Sequence, residues 1–80
     1  MAQKELVKSE IDYALLKAAI LGDSLSRIAR KARLQEKDTR KQLKLLKASR
    51  MIDNIRRPEG MYYFVTSKGE RFITDYESKM

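Results

Sequence analysis

The sequence predicts a mostly helical α+β fold: three helices, a β-hairpin and a closing helix. Apolar residues recur at helical spacing over 4–21, 25–32 and 36–50. Residues 51–66 change to aromatic and β-branched content around Arg57-Pro58-Glu59-Gly60, which reads as two strands and a tight turn. Helical spacing then returns. The 80 residues suit one domain spanning 1–80, and they contain no internal repeat, linker or low-complexity tract.

The first helix is expected over 4–21, with Val7, Ile11, Ala14, Leu15 and Ala18 on one face. Leu6, Tyr13, Leu16 and Ile20 fall near the opposite face, so this helix must be covered on two sides. Gly22 is its stop. Asp23 or Ser24 caps a second helix over 25–32 that faces inward with Leu25, Ile28, Ala29 and Ala32. Residues 33–35 form a turn anchored by Leu34. The third helix, 36–50, buries Thr39, Leu43 and Leu46, leaving Leu45 off the core stripe. Glu36 and Asp38 lie in its first turn, where the helix dipole favours acids. Thr66 or Ser67 opens the last helix, about 67–79. Ser67 with Glu70 matches a capping box, and Phe72, Ile73, Tyr76 and Met80 form one apolar stripe. Met51, Met61 and Met80 read as packing residues, and Tyr62, Tyr63 and Phe64 as strand residues alternating between core and surface rather than a stacking platform for single strands.

Composition removes several classes of function. Cysteine and histidine are both absent, which takes away disulfides, the usual zinc ligands and the usual base of a nucleophilic triad. No carboxylate pair stands out in an apolar setting, so no enzyme, cofactor or metal is expected. No apolar run approaches a membrane span and the first 22 residues do not form a secretory signal, which predicts a cytoplasmic protein with no membrane partner. A chain this short buries a modest core, so a homodimer sharing apolar surface is a reasonable expectation.

The net charge is +7, and it is localised. Residues 23–50 carry ten cations, Arg27, Arg30, Lys31, Arg33, Lys37, Arg40, Lys41, Lys44, Lys47 and Arg50, against three acids. The segments on either side are neutral. A concentrated positive field attracts a polyanion, whereas a scattered excess would speak only of solubility.

With these elements in order, the stretch SLSRIARKARLQEKDTRKQLKLLKASRMI resembles the helix-turn-helix of bacterial and archaeal winged-helix regulators (MarR-, ArsR- and PadR-like). The matching positions are the Ile28-Ala29 pair, Leu34, the Leu43 to Leu46 spacing and the Met51-Ile52 corner. YYFVTSKGERFITDYE resembles the second wing strand and closing helix, with Thr66, Gly69, Phe72 and Ile73 in the pattern. The likeness extends to small archaeal winged-helix proteins, including dimeric chromatin-associated ones, and runs from about residue 10 to residue 77. Arg50 stands where the family corner has glycine, which predicts a differently built turn into the wing.

The resemblance implies a winged helix-turn-helix with the helix-turn-helix at about 25–50, the wing at about 51–66 and a closing helix. It implies a double-stranded DNA-binding regulator of transcription, acting as a homodimer in the cytoplasm or nucleoid, with no small-molecule effector evident. The third helix would enter the major groove with Lys37, Arg40 and Lys41 near base edges, beside Glu36 and Asp38. Lys44 and Lys47 would meet phosphate, and Arg27, Arg30, Lys31 and Arg33 the flanking backbone. Arg56 and Arg57 would reach an adjacent minor groove from the wing. Tyr13, Leu16, Ile20, Phe72 and Tyr76 are the candidate dimer interface; packing of the first and last helices on each other within one chain competes with it. A low-specificity architectural protein and a protein–protein or RNA interaction module are the alternative functions.

Overall fold

A computed structural model describes residues 8–80 of the chain. The order is α1 (Lys8–Ala18), β1 (Asp23–Ser24), α2 (Leu25–Ala32), α3 (Glu36–Ala48), β2 (Ile52–Arg57), β3 (Gly60–Val65) and α4 (Ser67–Glu77). Leu6 and Val7 lie outside the described residues. The strands form one antiparallel sheet in the order β1-β3-β2. β1 is an addition to the expected elements. Its two residues are too short to give a period, and only pairing with Tyr62 and Tyr63 makes them a strand.

The core is drawn from every helix and the hairpin: Leu15, Leu16 and Ala18 of α1, Ala19 just after it, Ile28, Leu43, Leu46, Ile52 and Ile73. Both Leu15 and Leu16 are fully buried, so the two-sided apolar pattern of α1 is satisfied by α2, α3 and α4 of the same chain. The regular helix stops at Ala18, short of the expected 21, and a turn carries the chain to Gly22 at φ +83°. Gly22 lies so close to the Tyr62 ring that a Cβ there would be 2.6 Å from Cε2.

The helix ends explain the corners. Ser24 caps α2, its hydroxyl accepting from the Arg27 N–H. α2 closes with Arg33 at φ 59°, Arg33 N–H on the Arg30 carbonyl and Leu34 N–H on that of Ala29. α3 closes in the same way: Arg50 sits at φ 65°, with its N–H on the Lys47 carbonyl and the Met51 N–H on Leu46. This paired 6→1 and 5→2 bonding is the Schellman arrangement, which ordinarily uses glycine. The expectation of a differently built corner at Arg50 is therefore corrected: the left-handed turn forms with arginine, at a cost of about 1 kcal/mol. Compensating bonds hold it, because the Thr66 hydroxyl donates to the Arg50 carbonyl at 2.6 Å and Lys68 Nζ donates to the Ser49 carbonyl at 2.9 Å.

Two expectations about α4 are also corrected. Its cap is Thr66, whose Oγ1 accepts from the Gly69 N–H at 3.2 Å, so the Ser67–Glu70 capping box is not used. Thr66 is the last residue tied to the preceding corner, through its N–H on the Met51 carbonyl, so of the two openings the sequence offered Thr66 is the cap and Ser67 the first helical residue. Met80 lies beyond the helix and is 82% exposed, so it is neither part of the buried stripe nor a packing residue.

Candidate nucleic-acid interface

Three buried side chains set the orientation of α3. Thr39, Leu43 and Leu46 face the core, and the helical period then turns Lys37, Arg40, Lys41, Lys44 and Lys47 to solvent. None of these five is in an ion pair among the described residues. The acids of the first turn leave the row uncompensated. Glu36 accepts the Ser26 hydroxyl at 3.0 Å, which ties α3 back to α2, and Asp38 is exposed beside the helix N-terminus. That N-terminus begins at Gln35, whose side chain makes no capping bond.

The cations of α2 are differently placed. Arg27 Nε lies 3.2 Å and Lys31 Nζ 2.9 Å from the two oxygens of Asp23, a nearly buried carboxylate on β1. Burial on its own would push the Asp23 carboxyl up. The Lys31 ammonium, the Ser24 N–H and the Arg27 guanidinium outweigh it and hold the group below the usual carboxylate value. Arg27 and Lys31 thus spend part of their charge inside the protein, while Arg30 and Arg33 are exposed and outside any ion pair among the described residues.

The hairpin separates its two arginines. Register pairs Arg56 with Met61 and Arg57 with Gly60, so their side chains fall on opposite faces of the sheet. Arg56 shares the face of Ile52 and Asn54. Arg57 shares the outer face with Ile55 and Tyr62, and its guanidinium lies 4.6 Å from the Tyr62 ring centre.

A groove of about 170 Å³ runs between α3 and the hairpin, lined by Arg40, Leu43, Lys44, Lys47, Asn54 and Tyr63. Lys47 Nζ donates to Asn54 Oδ1 at 2.8 Å across it. Asn54 and Tyr63 were missed from the sequence, because their position beside α3 follows from strand register and not from any local motif. Asp23 was foreseen only as a possible helix cap; it also pairs with two cations of α2, four and eight residues along the chain.

The five candidate interface residues divide. Tyr13 stacks on Tyr76 at a 4.3 Å centroid separation, and Phe72 lies beyond at 6.2 Å from Tyr76, so α1 and α4 pack on each other within the chain. The Tyr13 hydroxyl donates to Glu77 Oε2 at 2.7 Å, and Lys17 pairs with the same oxygen at 3.0 Å. These two bonds lower the Glu77 carboxyl, and the same bonds to Glu77, reinforced by its charge, raise the Tyr13 phenol and the Lys17 ammonium. Ile20 is exposed. Leu16 has no exposed surface, because α1 turns it into the core, and it therefore leaves the candidate interface.

Among the described residues no acidic cluster could hold a metal ion, and no helix is long and apolar enough to cross a membrane.

The sequence matches no family model and no curated protein. Solved structures do match. Sso10a-2, a DNA-binding protein from Sulfolobus solfataricus, aligns with a TM-score of 0.85 at 19% identity over 91% of this chain and 77% of that one. A MarR family transcription regulator aligns at 0.79 and 18% identity over 92% and 51% of the two chains. The PcaV transcriptional regulator of Streptomyces coelicolor, in complex with its natural ligand, aligns at 0.74 and 19% over 92% and 55%. The chain spans about half the length of these two regulators. At such identities the likeness is one of fold, and the fold is the winged helix-turn-helix: α2 and α3 form the helix-turn-helix and the β2–β3 hairpin is the wing.

Proposed function

We propose that the protein binds double-stranded DNA without catalysis and regulates transcription as a homodimer. The observation that carries this reading is the row Lys37, Arg40, Lys41, Lys44 and Lys47, which stands outward and without acidic partners on the second helix of a helix-turn-helix. A row of this kind would be costly to leave unscreened and suits the phosphates that line a major groove. Sso10a-2, a DNA-binding protein, and two transcription regulators share the fold, which supports the same use here. The protein is then expected in the cytoplasm, at the nucleoid.

In this reading Lys37, Arg40 and Lys41 approach base edges and Arg40 forks onto guanine. Lys44 and Lys47 take phosphate on the wing side, beside Asn54 and Tyr63. Arg30 and Arg33 meet the flanking backbone directly, whereas Arg27 and Lys31 do so while still held by Asp23. The wing offers Arg56 and Arg57 to the adjacent groove. The homodimer is proposed through the α1–α4 side, with Tyr13, Ile20, Phe72 and Tyr76 at its surface; sedimentation showing a monomer at high concentration would remove it.

Titrating duplex DNA at several salt concentrations tests the reading. With about six or more phosphate contacts, affinity should fall steeply as salt rises, with a log–log slope near −0.9 per contact. A flat response, or no binding in dilute buffer, would overturn it. The ratio of specific to non-specific affinity at one stated salt then separates a regulator from an architectural protein.

A further inference from the structure

The wing leaves one long edge open. β2 pairs with β3 on one side and has no described strand on the other. Arg57 and Gly60 flank the two-residue turn and form a hydrogen-bonded pair, so the antiparallel alternation turns the main chain of Asp53, Ile55 and Arg57 toward β3. The amides and carbonyls of Ile52, Asn54 and Arg56 then point out from the edge. In keeping with this, the Asn54 N–H is taken by the Asp53 carboxylate at 2.8 Å. On the outer face above this edge Ile55 is 51% and Phe64 38% exposed.

An open edge of six residues with apolar side chains beside it is a template for another strand, and proteins commonly block such edges with like charges. The sequence of β2 does the reverse in one register. Laid antiparallel on a copy of itself with Ile55 at the centre, IDNIRR sets Ile55 against Ile55, Asp53 against Arg57 and Asn54 against Arg56. Moving the centre to Arg56 would oppose two arginines, and moving it to Asn54 would set Asp53 against Ile55, so charge selects the first arrangement.

We propose that β2 is a self-pairing edge that joins two copies of this chain about a two-fold axis at Ile55, making one continuous six-stranded sheet. The Asn54 N–H passes from Asp53 to the main chain of the partner's Arg56, and Asp53 turns to the partner's Arg57, so no donor is abandoned. Arg57 is already held over the outer face by the Tyr62 ring, on the side where the opposing carboxylate arrives. The joint is two-fold and self-complementary, as closed contacts between identical chains are. It is distinct from the α1–α4 surface, and with both in use dimers would link into rows. The joint does not depend on DNA binding.

The absence of cysteine makes the test specific. Ile55→Cys places one thiol on the proposed axis, in a non-hydrogen-bonded pair whose Cα atoms would lie about 4.5 Å apart, within disulfide reach. Leu45→Cys, similarly exposed at 46% on α3, is the control. Under mild oxidation without DNA, Ile55→Cys should form covalent dimers at least about tenfold faster than Leu45→Cys, because only the first pair is held in bonding geometry. Adding Asp53→Arg or Arg57→Asp alone should slow that cross-link toward the control, and adding both should restore it. Equal rates for the two thiols, or no recovery in the charge-exchanged pair, would overturn the proposal. DNA titration of the reduced Ile55→Cys variant, which keeps every proposed DNA-contacting cation, reads out the proposed function separately, since its failure would leave the cross-linking result unaffected.

Discussion

Burying the Asp23 carboxylate is unfavourable unless its oxygens are satisfied, and here Lys31, Arg27 and the Ser24 N–H satisfy them. Because the folded group titrates below its ordinary value of 3.8, its stabilisation is complete above that pH and is lost as pH falls through the lowered value. Asp23→Asn should therefore cost about 1–2 kcal/mol at neutral pH. Thermal melts at neutral and strongly acid pH should show the gap between variant and parent close in acid. Thr39 presents the opposite case. Its hydroxyl is fully buried and has no hydrogen-bond partner among the described residues, although the methyl half fits the core. Thr39→Val keeps the shape and removes the unsatisfied group, and should raise stability in urea unfolding by about 1 kcal/mol. The sequence showed that position 39 faces inward but not that its oxygen would be stranded, since partners come from the whole fold.

At the scale of the element, α4 depends on how closely it meets the end of α3. Thr66 caps the helix through the Gly69 N–H and bonds the Arg50 carbonyl with the same hydroxyl. Gly69 is buried, and a Cβ there would overlap the Met51 carbonyl oxygen and crowd Val65. The Thr66-x-x-Gly69 spacing visible in the sequence thus has two causes, a cap and a close approach of backbone to backbone. Gly69→Ala should destabilise by about 1–3 kcal/mol in spite of alanine's better helix propensity, which equilibrium unfolding would reveal. The start of α2 was legible because cap and period agree there, and the start of α3 from period and the acids of its first turn, without a side-chain cap. The opening of the last helix at 66–67 was legible too, but Ser67–Glu70 imitates a capping box where Thr66, tied to Met51, supplies the cap.

For the whole molecule, the decisive quantity is where the charge excess faces. Lys44 is exposed, lines the groove beside the wing and forms no ion pair among the described residues. Lys44→Ala should weaken binding to all duplexes about equally and reduce the salt slope by about 1, with the fold unchanged by circular dichroism. Arg40→Ala should instead relax sequence preference, at about 1–3 kcal/mol for the base it reads. Competition binding with matched and mismatched duplexes would separate these two effects, and an equal loss on every sequence would remove Arg40 from base reading.

The sequence by itself determined the order of the four helices and the hairpin, the inward faces of α2 and α3 and the concentration of cations between residues 23 and 50. These follow from period, caps and local charge, which are properties of short stretches of chain. Tertiary structure alone decided that Leu16 is buried within its own chain, that Tyr13 stacks on Tyr76, and that Asn54 and Tyr63 line the groove beside α3. Each depends on strand register or helix packing between residues distant in sequence, and a pairing energy of that kind exists only once the chain has folded.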